Sequence, residues 1–560
     1  MRYEPRVDIQ ARNLAEGQAD VTIRGGIFES TGFQVGVVTL LDPQTGHYLA
    51  EIPIPPAMLS APEIATGADL ALNATNTTAG AVSSRWRAIR TSGFAALGAG
   101  QNGLARGDFY QGYASGQTFA GRQIGADIAV SHSRSDGALP FGDHHFDRIG
   151  GRVQLRDQGG QTDLFAGYQA KFFGWPNLYT PFRSNESENL QTLLFAANHR
   201  ADFGGGDFVE VGAYHRRNKD DYAFNRFAPL GPVHPFQHTT RTSGGAIAGR
   251  RTAGDVAWNF RAELLADDLQ STSLTAGRYH SRSMAKVALV PEKTWTAPDR
   301  SRTTLRLGAT WDDSNRDDGA FSPVFELARE WNGAAVRRLY ISYAKSTQLP
   351  SYTALNSSAA AGLFRGNPDL GRERTHNVEI GAAATVREWT GQAAVFWRRD
   401  DALVDWTFRR NVTARAANAV DVDTVGFEAF ARRAWKSVDL VLGYTVLAKE
   451  ADYRGATVDA SFYALNYARH RLTAAFTWRL PQGFEVRMDN VARVQEDNVL
   501  RSVGGDEALF SSVAVAYRPK AWRGLELSVQ ADNLWNSNFQ EVPAVPAAPR
   551  QIVGAVAYAW

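Results

Sequence analysis

Few side chains in this sequence stand where they could make or break a bond. Asp143-His144-His145 sets three metal-ligating residue types side by side, but adjacent histidines in a polar loop define no coordination geometry. Asp312-Asp313 and Asp317-Asp318 could offer oxygens to calcium. Their spacing is not that of an EF-hand, and they read as a solvated loop. Gly204-Gly205-Gly206 precedes a strand pattern, not a helix, so it reads as a turn and not a phosphate cradle. There is no G-x-S-x-G elbow and no H-E-x-x-H. The absence of cysteine removes disulfides, thiolate metal sites and cysteine nucleophiles together. The sequence therefore predicts no enzyme, no metal centre and no cofactor.

Binding chemistry is better represented. Phe172-Phe173-Gly174-Trp175-Pro176-Asn177-Leu178-Tyr179-Thr180-Pro181-Phe182 puts five aromatics and two prolines into one stretch. Tyr222, Phe224, Phe227, His234, Phe236 and His238 crowd a second. Rigid aromatics with polar tips suit a bulky ligand. Trp175, Tyr179, Phe182, Tyr222, His234 and His238 are the candidate ligand-binding residues.

These stretches lie between segments of strict two-residue alternation, the signature of a strand with two different faces. Val256, Trp258, Phe260, Ala262 and Leu264 alternate with Ala257, Asn259, Arg261 and Glu263; Leu525, Leu527, Val529 and Ala531 alternate with Glu526, Ser528, Gln530 and Asp532. Apolar positions facing lipid and polar ones facing a lumen would give this texture. No apolar run approaches the roughly 20 residues of a membrane helix. Tight turns such as Asp157 to Gly160, Gly204 to Gly206, Thr252 to Gly254 and Pro481 to Gly483 take turns with long loops. The long loops are read as Ser133 to His145, Phe173 to Leu190, Asn218 to Thr239, Thr347 to Arg372 and Glu450 to Ala464. In outer-membrane barrels the short turns are periplasmic and the long loops extracellular. The walk from Ser84 to Trp560 predicts about 22 antiparallel strands, a size at which the lumen is plugged.

Composition agrees. Sixty basic and 58 acidic residues leave a formal charge of +2 with no long basic block, which argues against nucleic-acid binding. Fourteen tryptophans and 30 phenylalanines could furnish interfacial girdles.

The order of motifs before Val82 resembles the plug of the TonB-dependent outer-membrane receptors. Ile23-Arg24-Gly25, Leu41-Asp42, Ile52-Pro53-Ile54, Glu63-Ile64 and Ala79-Gly80-Ala81-Val82 stand where that family has its IRG element, strand-turn, isoleucine-proline step, next strand and exit. Pro43 and Leu72-Asn73-Ala74 depart from the family pattern. Ser346 to Tyr352, Gly366-Asn367-Pro368-Asp369-Leu370 and Asp532-Asn533-Leu534 resemble barrel segments of the same family. A final strand ending in Tyr558 and Trp560 resembles the signal read by the barrel assembly machinery.

The resemblance implies an all-β transmembrane barrel whose lumen holds a small N-terminal α/β plug. It sets a partial plug domain at residues 1–82, without a recognisable TonB-engaging segment, and a barrel at 83–560. It also implies the outer membrane of a Gram-negative bacterium, with lipid and lipopolysaccharide around the barrel, and TonB with its inner-membrane energising complex as partner. The small-molecule nutrient would be a corrinoid, a ferric siderophore or an oligosaccharide. Arg24, Gly25, Gly26 and Asp42 are the expected plug–barrel coupling residues, because an arginine beside two glycines can reach a polar wall with charge-assisted hydrogen bonds. The alternative is a passive porin-like channel with a vestigial plug. Met1 is followed by neither a basic nor an apolar leader region, so a late start or a longer precursor is expected.

Overall fold

The computed structural model describes residues 4–13, 16–228 and 235–560. From Ser92–Gly100 to Gln551–Ala559 the chain forms one closed antiparallel barrel of 22 strands, to which the two-residue strands Phe364–Arg365 and Ala460–Ser461 are added. Closure pairs Tyr558 with Ala95 and Val553 with Gly100, so the last strand has no free edge.

The two faces separate as the alternation requires. Trp258 and Leu264 are exposed on the outside while Asn259, Arg261 and Glu263 are buried. Leu97, Leu164, Leu307, Phe321, Ile380 and Val425 are likewise exposed. Apolar side chains ringing a closed barrel need lipid to cover them. Among the described residues no helix is long and apolar enough to cross a membrane; the strands do so instead.

Several strands run further into the predicted loops than alternation alone indicated. Gly160–Pro176 and Asn185–Gly204 leave only residues 177–184 between them, and Asp207–Ala223 and Phe236–Ala253 also extend inward. Ladder hydrogen bonds continue above the lipid, where no constraint on the outer face marks the sequence. The Asp312 to Asp318 region is a second correction. It is exposed at Asp313, Asn315, Arg316 and Asp318 as expected, but it is the tight hairpin of Arg302–Ser314 and Asp317–Glu330, with Ser314 paired to Asp317, and not a loop.

Inside the barrel lies the N-terminal segment. Val7–Ala11 pairs with Ala19–Ile23, and a separate four-stranded sheet runs in the order Val38–Thr39, Thr31–Val35, Gly80–Ser84, Glu63–Ala65. Its helical turns, Phe28–Ser30, Pro56–Met58 and Gly67–Leu72, are all 3₁₀, and no α-helix occurs among the described residues there. The expected α component of an α/β plug is therefore not seen. Short Pro- and Gly-broken connections leave no length for an α-helix.

The segment fits the wall by both chemistries. Val35, Leu40, Leu41 and Met58 pack among inward-facing Phe165, Leu194, Leu265 and Met284. Glu263 accepts from the Thr39 N–H at 2.7 Å, and Lys286 donates to the Ala74 carbonyl at 3.0 Å. Arg493 pairs with Asp8 at 2.6 Å. The charges of the alternating strands thus meet the polar backbone of the segment they surround, which offsets their burial.

Candidate functional site

At the long-loop end, a cavity of about 310 Å³ separates the top of the N-terminal segment from the loops above it. Its floor is the turn holding Gln44, Thr45, His47 and Tyr48, its sides carry Glu188, Asp220, Tyr222, Phe236 and His238, and its roof includes Phe364. The floor is built around Asp42, whose carboxylate accepts from the Gln44 N–H at 3.2 Å and the Tyr48 N–H at 3.1 Å. Such a carboxylate-bridged turn is stiff because it satisfies backbone donors locally. Burial raises the Asp42 carboxyl above its ordinary range, against the pull of Arg216 and those two N–H groups.

Floor and wall are bonded through side chains. Gln44 Nε2 donates to Asp220 at 2.5 Å, and the Tyr48 hydroxyl donates to Glu188 at 2.8 Å. The Tyr179 hydroxyl and the Asp220 carboxyl also lie within bonding reach of Glu188, while Gln44 Oε1 keeps no partner. The cavity thus presents acidic acceptors framed by aromatic faces. Beneath it, His47 stacks on Phe28 at 4.2 Å and bonds Asp20 through Nδ1 at 2.8 Å. Burial would raise the Asp20 carboxyl, but Arg12 and His47 outweigh it and hold it well below the usual carboxylate range. Burial lowers the His47 imidazole, with Asp20 opposing. Arg415 lies alongside, donating to the Tyr179 carbonyl and covering the Phe462 ring at 4.1 Å.

Of the residues singled out in the sequence, Tyr179, Tyr222 and His238 line this cavity. Trp175 does not; it is buried, with its indole N–H donating to the Pro546 carbonyl at 2.9 Å, and so anchors the loop above. Phe182 is half-buried and also outside the cavity lining. His234 lies outside the described residues. Sequence reasoning missed Gln44, His47, Tyr48, Glu188, Asp220, Trp406 and Arg415. For Glu188 and Asp220 the signal was their lumen-facing parity in strands; for Trp406 and Arg415 no local pattern marks them.

Lower in the lumen, Arg24 projects from the first inner strand pair into the wall. Its guanidinium bonds Glu379 at 2.6 and 3.0 Å and Glu428 at 2.5 and 3.0 Å, with the Phe396 ring 4.7 Å away. Gly25, at a φ of 67°, passes so close to the wall that a Cβ would meet Leu447 at 2.7 Å. At Gly26 it would meet Ala79 at 2.5 Å. Lys449 donates to the Gly25 carbonyl at 2.5 Å. A second, polar cavity of about 220 Å³ opens beside Arg24 and includes Arg6, Asp69, Glu326 and Arg338.

At the short-turn end Tyr558 stacks on Trp560 with centroids 5.9 Å apart, and the Trp560 indole donates to Gln111 at 2.8 Å. Both are exposed outside the barrel. The Asp143-His144-His145 trio is not brought together: Asp143 pairs with Arg226, His144 points inward to Ser133 at 2.8 Å, and His145 points outward to Asp147 at 2.7 Å.

Residues 66–534 match a family model described as TonB dependent receptor-like, beta-barrel. No curated protein matches the chain. Among solved structures, the FrpB iron transporter from Neisseria meningitidis superposes with a TM-score of 0.77 at 13% identity, over 100% of this chain and 96% of the other. The siderophore receptor PirA from Pseudomonas aeruginosa gives 0.70 at 14% identity, over 100% and 95%. The copper transporter OprC gives 0.76 at 14% identity, over 100% and 97%.

Proposed function

The chain belongs to the family of TonB-dependent receptors, and on that premise we propose that it captures a nutrient in the apical cavity and passes it to the periplasm with energy delivered through TonB. The family is one of outer-membrane receptors and transporters, not of enzymes, and the chain lies in the outer membrane as a 22-stranded barrel. One observation carries the proposal. The carboxylates of the cavity wall, Glu188 and Asp220, are held by Tyr48 and Gln44 of the segment inside the barrel. A ligand that takes over those acceptors releases the floor turn, so occupancy favours a different arrangement of the inner segment. That is the form a signal to the periplasmic side must take, since a ligand shifts only an equilibrium whose states it binds unequally.

The chemistry of the cavity narrows the nutrient. Acidic acceptors and Arg415 among Tyr48, Tyr179, Tyr222, Phe236 and Trp406 favour a ligand that presents hydrogen-bonding groups on a flat apolar body. TonB with its energising complex is the inner partner, lipopolysaccharide surrounds the loop end, and the terminal strand with Tyr558 and Trp560 is offered to the assembly machinery. The inner segment through residue 82 acts as the plug, with Arg24 as its principal tie to the wall.

The test is uptake by cells that express the chain in a form directed to the outer membrane and able to engage TonB. Import of the ligand should stop when TonB is deleted or the proton gradient is collapsed. Import unchanged in both cases would make the barrel a passive channel.

A further inference from the structure

We propose that His132, His145 and Asp147 form a divalent transition-metal site on the outer face of the barrel at its long-loop end. His132 lies in Arg122–Ser135 and the other two in His144–Arg156. Their side chains share the face of exposed Ile128, Val130, Ile149 and Val153, so they point away from the lumen. They stand just beyond those apolar residues, where the outer surface turns polar.

The strand ladder sets the geometry. Asp147 is directly opposite His132, and His145 lies two residues earlier on the same face of the same strand. The Asp147 carboxylate meets His132 Nδ1 at 2.8 Å and His145 Nε2 at 2.7 Å, one imidazole on each oxygen. The two rings stand at 75° with centroids 5.2 Å apart. All three ligand atoms lie within 4.8 Å of one another. Two imidazole nitrogens and a carboxylate converging from a paired β scaffold need little rearrangement to coordinate one ion, which then replaces the protons they now share.

The surroundings leave the ion accessible. His132 is flanked in register by Gly107 and Asp147 by Ala170, while His145 lies between Arg134 and Phe172, so the group is open from the side of His132 and Asp147. Further coordination positions are open to water. Two imidazoles with one carboxylate suit zinc, copper, nickel or cobalt; an all-oxygen set would be needed to favour magnesium or calcium. The site shares no residue with the apical cavity, and it stands or falls separately from the transport reading.

The test uses the untagged full chain in detergent, stripped with a chelator. Titration with Co²⁺ should give a visible absorption band that saturates at one equivalent, and Zn²⁺ should displace it while Mg²⁺ does not. His132→Ala and Asp147→Asn should each weaken Co²⁺ binding by roughly tenfold or more, since even outer-sphere partners are worth that much. His144→Gln, on the inward face, should leave it unchanged. Heat-modifiable gel migration checks that each variant remains a closed barrel. Absence of saturable Co²⁺ binding to the parent, or parental affinity in both His132→Ala and Asp147→Asn, would overturn the proposal.

Discussion

Arg24 meets Glu379 in a two-pronged contact, Nη1 to Oε2 at 2.6 Å and Nη2 to Oε1 at 3.0 Å, deep in the lumen and 355 residues apart in sequence. Because Glu428 accepts from Nε and Nη2, this one guanidinium is shared by two buried carboxylates.

Replacing Arg24 by Ala should therefore cost more than a surface pair would. It leaves two acids facing each other without the cation that bonds them both, and breaking a buried pair from one side costs about 3–5 kcal/mol. The penalty falls on the seating of the inner segment, not on the closed ladder around it. Planar-bilayer conductance in rising urea measures this: Arg24→Ala should open at a lower urea concentration than the parent. Arg24→Ala combined with Glu379→Gln and Glu428→Gln should recover part of the loss. Identical opening of parent and single variant would remove Arg24 from any coupling role.

Glu29, in the inner segment, gives a pH dependence. Burial pushes its carboxyl up to about 8, only partly offset by Ser351 and Trp406. A raised acid holds its proton in the folded state after the unfolded chain has released it. Its contribution is thus fully present below about pH 4.5 and is lost as pH rises toward 8. Urea or thermal unfolding of the inner segment should show lower stability at pH 8 than at pH 5. Glu29→Gln should reduce that slope, and a parent whose stability rises over this window would contradict the assignment.

The barrel was legible because each spanning strand is constrained on both faces, which writes alternation into residues such as Trp258 and Glu263. The limits of the loops were not, since above the lipid a strand like Gly160–Pro176 keeps its ladder without that constraint. Part of the cavity was visible as aromatic clusters, through Tyr179, Tyr222 and His238. The rest depends on contacts between distant residues: Tyr48 and Glu188 are 140 positions apart, and nothing local in either marks the other. Trp175 misled for the same reason, because its burial under Pro546 is a property of loop docking and not of its neighbourhood in sequence.

The two faces of a strand should respond differently to charge. Leu264 is 68% exposed on the outer surface about halfway along its strand. Arginine there should cost roughly 2–4 kcal/mol if the residue lies near the bilayer midplane. Gln530 faces the lumen beside Asp532, at 2.9 Å, and Gln530→Arg should be far milder. Reversible unfolding from vesicles measures both. Equal costs would mean that these strands do not carry a lipid face.

The last prediction concerns the floor of the cavity, where binding and coupling can be separated. Tyr48→Phe removes the hydroxyl that holds Glu188, and Gln44→Ala removes the amide that holds Asp220. Both leave the aromatic walls intact and free the carboxylates for a ligand, so binding should weaken little or even tighten. The loss is instead in the connection. With the floor turn already detached from the wall, occupancy no longer changes its state, and a ligand with no difference to act upon transmits nothing. Uptake should fall severalfold in each variant while surface binding to whole cells stays within about twofold, a difference of under 0.5 kcal/mol. Tyr222→Ala should do the opposite, lowering binding and uptake together because it removes a cavity wall and no connection to the floor. If Tyr48→Phe and Gln44→Ala reduce uptake only in proportion to binding, the two bonds hold the cavity together without reporting on it, and the signal must leave by another route.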